Sequence, residues 1–146
     1  MKLLNQKQLA TTLIIVGAFP FVILTAFIAG VASPVALPAA PALLLHIYGA
    51  LIASFVAGLH WGIHFCKRTN DSVYLYCSFI VLMLWCSMLA AGSIAGLAVI
   101  LLGFILLWIG EYRLSVQRVT TAWFWKLRCA VTAVVVVCLA LSIFLL

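Results

Sequence analysis

Five long apolar runs, separated by short connectors, constrain this chain more than any motif in it. They cover about residues 9–31, 42–65, 73–91, 93–109 and 123–146. Each has a length suited to crossing the bilayer core, which needs roughly 17–25 mostly apolar residues per helix. The runs are apolar throughout, so length rather than periodicity assigns them. The chain is 68% hydrophobic and 7% charged, against about 25% charged in a soluble domain. A small domain has too much surface to hide that excess from water. The expectation is an all-α membrane protein: one five-transmembrane-helix bundle over residues 1–146 with almost no soluble part.

The connectors alternate in character. Between runs one and two lies Ser33-Pro34-Val35-Ala36-Leu37-Pro38-Ala39-Ala40-Pro41, without a charge. Its prolines stop both helices and favour an extended path. Runs three and four meet in an uncharged turn at Gly92-Ser93. Lys67, Arg68 and Asp71 join runs two and three, and Glu111, Arg113 and Arg118 lie between runs four and five, with Lys126 at the start of run five. Lys2 and Lys7 precede run one, and Arg128 opens run five. With five alternating spans, every basic residue falls on one side. The positive-inside rule then predicts a cytoplasmic N-terminus and a C-terminus outside. Run one is too long for a typical signal-peptide core and is read as a true span.

The net charge of +6 is therefore topogenic, and nucleic acid is not an expected partner. Cys66, Cys77, Cys86, Cys129 and Cys138 form no C-x-x-C pair. They read as small packing residues rather than a metal cluster or disulfide framework. No nucleophile elbow, phosphate loop or metalloprotease motif occurs. The expectation is a non-enzymatic protein with no catalytic residue, no bound metal and no resident cofactor.

Run two is the informative one. Ala50, Ser54, Gly58 and Gly62 recur every fourth residue, with Gly49, Ala53 and Ala57 in a row beside them. Small residues at that spacing let a neighbouring backbone approach closely, so Gly49, Ala50, Ser54, Gly58 and Gly62 form an expected packing stripe. His46, His60 and His64 share a face of the same helix. His60 and His64, four apart, have rings on adjacent turns. They are read as interfacial polar groups bonded to neighbours, as a ligand-, quinone- or proton-handling pair, or as ligands for a haem or metal. His46 lies about 20 Å away at roughly 1.5 Å per residue and cannot join them.

Asp71 and Glu111 are the two acidic residues. Glu111 is expected to end run four, where its charge opposes the helix dipole and calls for a cation from Arg113, Arg118 or Arg128. Trp108, Tyr112, Trp123 and Trp125 read as an interfacial aromatic belt. Pro20 is an expected kink in run one, tolerable where a neighbour satisfies the freed carbonyl.

Three segments carry a resemblance. Gly17-Ala18-Phe19-Pro20-Phe21, then Tyr48-Gly49-Ala50 through Ser54-Phe55 with Gly58-Leu59-His60-Trp61-Gly62, and Trp123-Phe124-Trp125-Lys126-Leu127-Arg128 followed by Thr132 resemble domain-of-unknown-function family 3429. That family includes bacterial inner-membrane proteins and mitochondrial transmembrane protein 69. The resemblance implies a five-helix inner-membrane protein and no particular reaction. The family carries arginine or histidine where His60 stands, which implies a cationic or hydrogen-bonding role there.

Two functional expectations follow. The first is a small accessory subunit or assembly factor, with a larger membrane complex (such as a respiratory one) or a second copy of itself as partner. The second is a binding or transport protein, with His60, Trp61, His64, Glu111 and Arg128 lining a pocket at the cytoplasmic ends of the helices. Its ligand is then a quinone, haem, lipid or ion. Membrane lipid is a partner in either case. The expected location is the bacterial inner membrane, with the mitochondrial inner membrane as alternative, since no Arg-rich transit segment is seen.

Overall fold

The computed structural model describes residues 4–32, 36–67, 72–116 and 121–146. The described residues fold into five helices: α1 (Leu4–Ile28), α2 (Pro41–Lys67), α3 (Ser72–Ser87), α4 (Ile94–Val116) and α5 (Ala122–Leu145). A 3-10 turn, Met88–Ala90, extends α3. No strand occurs among the described residues. All five helices are long and apolar enough to cross a membrane. Helices are the natural solution there, since lipid offers no partner for backbone N–H and C=O groups.

The helices form a closed ring in chain order, with α5 returning to α1 and α2 also crossing α4. Phe21, Leu45, Ala53, Val56, Ile80, Leu84, Ile100 and Leu139 fill its centre. Large apolar side chains such as Leu75, Leu89 and Phe144 are more than three-quarters exposed, while His46, His60, His64, Glu111, Thr132 and Ser142 are buried. A surface this apolar, with polar groups held inside a mainly apolar core, departs from the polar surface of a water-soluble protein. This is a multi-pass membrane protein.

The punctuation is local chemistry. α1 ends at Gly30, whose φ of 92° is readily open to glycine. The Val31 N–H donates to Ala26 O and the Gly30 N–H to Phe27 O, closing the helix end as a Schellman motif. Pro41 starts α2, where its missing N–H costs nothing. Gly92, at φ 76°, turns the chain into α4. Ser93 caps α4, accepting from the Gly96 N–H and donating to Ala90 O. Pro20 lies inside a continuous α1. One residue beyond the carbonyl that Pro20 leaves unbonded, Gly17 O accepts from the Tyr48 hydroxyl at 2.8 Å.

The packing stripe on α2 needs correction. Gly49 and Ala50 are buried, but Ser54 is half-buried and Gly58 and Gly62 are exposed. A Cβ on Gly49 would stand 2.8 Å from Ile100 Cγ2, whereas one on Gly58 or Gly62 would meet nothing. The reason is helical pitch. Each four-residue step advances about 40° round the axis, so a strict every-fourth row leaves the packed face within three steps. Gly49, Ala53 and Ala57 stay in the core. Glu111 also needs correction: α4 continues past it to Val116, so it does not sit at a helix terminus. Expectations resting on Lys2, Ser33, Pro34, Val35, Arg68, Asp71 and Arg118 lie outside the described residues.

Candidate functional site: a buried ion cluster beside a cavity

α2, α4 and α5 bring three charged or polar groups together near one end of the bundle. Arg128 Nε donates to Glu111 Oε1 at 2.7 Å. His60 Nε2 stands 3.4 Å from that same oxygen, without hydrogen-bond alignment. The His60 and Glu111 side chains are 2% and 7% exposed and that of Arg128 12%. An unpaired charge at this depth would be severely penalised, so each of the two charges depends on the other, and the pair is a candidate site. Among the described residues, Glu111 Oε2 is buried without a hydrogen-bond partner, as are both ring nitrogens of His64, one turn along α2.

Two residues the sequence reading did not single out shape the cluster. A Cβ on Gly110 would lie 3.2 Å from the Tyr76 ring and 3.7 Å from His60, so glycine lets α4 close over the imidazole. The Tyr76 hydroxyl donates to Leu106 O at 2.5 Å and ties α3 to α4. Glycines in an apolar run are a weak signal, and nothing in the sequence marked Gly110.

Trp61 does not join this group. It is about half exposed, rests edge-on against Tyr74 at 4.9 Å between centroids and donates to Tyr74 O. About 100° separates it from His60 on the helix, and that turns it to the outer side of α2. There it borders an open groove of about 820 Å³ between α2 and α3, floored by Ser54, Gly58 and Gly62.

A second space, about 310 Å³, lies among α1, α2, α4 and α5. Leu13, Gly17, Phe55, Leu59 and Val131 give it apolar walls, and Arg128 and Thr132 also line it. Arg128 therefore faces both the cavity and Glu111.

At the same end, Trp108 stacks on Trp125 at 6.4 Å and Lys7 Nζ lies 5.0 Å from the Trp123 ring. His46 is at the opposite end, its Nε2 3.1 Å from Ser87 Oγ. Among the described residues no group of three His, Cys, Asp or Glu side chains could hold a metal. The cysteines are unpaired.

The bundle is thus a five-span membrane protein with a buried ion cluster. The chain matches the family described as Protein of unknown function (DUF3429) over residues 6–144 and belongs to it. No curated protein and no solved structure matches the chain.

Proposed function

We propose that this protein binds an amphipathic small molecule of the lipid or quinone type in the cavity among α1, α2, α4 and α5, without performing chemistry on it. One observation carries the reading: Arg128, neutralised by Glu111 on one side, lines an otherwise mainly apolar cavity on the other. Apolar walls with a few placed polar groups are the usual form of a small-molecule site. Here Arg128 and Thr132 hold the polar head and the walls take the chain. The orientation we propose puts this end in the cytoplasm. Lys7, Lys67, Arg113, Lys126 and Arg128 all belong to helix segments at this end, as positive-inside topology requires. The membrane we propose is a bacterial inner membrane.

The test leaves the charges untouched. A Cβ on Gly17 meets nothing within 4 Å, and Gly17 lines the cavity, so Gly17→Leu fills it. Mass spectrometry of molecules co-purifying in mild detergent should show a species present with the wild type and depleted from Gly17→Leu. Identical profiles would remove the cavity from consideration.

The accessory-subunit reading keeps one support, the exposed groove over Gly58 and Gly62, where a partner helix could approach closely. Migration of the native protein with a larger complex, lost in Gly58→Leu, would favour it.

A further inference from the structure

We propose that the cavity takes an amphipath with an anionic head, and that His60 takes up one proton as the anion binds. The inference rests on the cavity reading and names the ligand's charge and its coupling to protons.

The argument is electroneutrality in a place with little water. Arg128 and Glu111 cancel, and in the resting state we propose His60 carries no proton, so these three groups sum to zero. An anion arriving at the Arg128 guanidinium would leave one uncompensated negative charge, which is costly at low dielectric. Among the described residues, the titratable group that touches the pair is His60, 3.4 Å from Glu111 Oε1. A proton on that imidazole supplies a second cation to the carboxylate, which among the described residues is otherwise held by Arg128. The guanidinium is then free to serve the anion in the cavity it lines. The proton comes from the aqueous phase and returns there when the anion leaves.

The surroundings favour His60 over the other titratable groups. On α2, His64 is one turn away and would be repelled by a protonated His60. On α3 the Tyr76 phenol is committed to Leu106 O, and Cys77 is a buried thiol. α4 brings Glu111 and the exposed Arg113, and α5 brings Arg128. From α1 the described cation is Lys7, over Trp123.

The experiment uses the full chain in zwitterionic nanodiscs. Its probes are hexadecanesulfonate, a permanent anion, and hexadecanol, its neutral counterpart, each measured against empty nanodiscs. Linkage of one proton predicts a sulfonate Kd that falls as pH drops, by at most about tenfold per pH unit. The hexadecanol Kd should stay flat. In His60→Gln the sulfonate affinity should stay at the wild-type alkaline value. Displacement by oleate or by dioleoyl phosphatidate then tells a free fatty anion from a lipid headgroup. Saturable sulfonate binding with a flat pH profile in the wild type overturns the proton coupling and leaves the cavity reading standing. Absence of saturable binding by either probe overturns both. The wild-type comparison of the two probes decides even if the variant does not fold.

Discussion

Arg128 Nε and Glu111 Oε1 are 2.7 Å apart, on helices whose described segments are separated by residues 117–120. The pair joins α4 to α5 near the end of the bundle where the basic residues lie.

Breaking that pair on one side should cost more than removing it whole. Arg128→Met leaves a buried carboxylate, for which about 3–5 kcal/mol is the ordinary penalty. The double variant Arg128→Met with Glu111→Leu removes both charges and should recover most of the loss. Reversible unfolding in mixed detergent would measure all variants. Equal loss in the single and the double would mean that the ion pair is not what joins α4 to α5.

The glycines should divide by what a methyl group would meet. At Gly96 an added Cβ would collide with Ala90 O and lie 2.7 Å from the His46 ring, so Gly96→Ala should destabilise by about 1–3 kcal/mol through overpacking. At Gly58 it would meet nothing, and Gly58→Ala should be neutral or gain up to about 1 kcal/mol from helix propensity. The same unfolding assay ranks them. A reversed order would contradict the α2 packing described above.

Cys66 gives a test of orientation. It is exposed near the end of α2 that carries Lys67. In a variant keeping Cys66 alone, a membrane-impermeant maleimide should label inverted vesicles and spare intact cells. The opposite pattern would reverse the proposed topology.

The five helices were legible because span length and hydropathy are one-dimensional properties. The shared face of His46, His60 and His64 followed from a period of 3.6 residues, and all three are buried. A cation for Glu111 was expected from Arg113, Arg118 or Arg128, and Arg128 supplies it. Trp61 lies outside the ion cluster because about 100° of helix rotation separates it from His60, so neighbours in sequence are not neighbours in space. The small-residue stripe divides, because a strict four-residue row drifts round the helix: Gly49 and Ala50 pack inside the bundle, and Gly58 and Gly62 face outward. Tyr76, Gly110 and Ser87 act through helices they do not belong to. No spacing within a single helix could have announced them.

His46 and Ser87 should behave as a structural pair, independent of the cavity at the other end. The Ser87 hydroxyl donates its one proton to Leu84 O at 2.6 Å, so it must accept from His46 Nε2 at 3.1 Å. Ser87→Ala strands that imidazole N–H in a fully buried site, which costs about 1–3 kcal/mol. His46→Leu combined with Ser87→Ala should cost less, because no polar group is then left unpaired. Neither variant touches Arg128, Thr132 or Gly17, so the profile of co-purifying molecules should remain that of the wild type. A Ser87→Ala protein of full stability that has lost its bound species would show that the two ends communicate and that His46 serves the ligand rather than the fold.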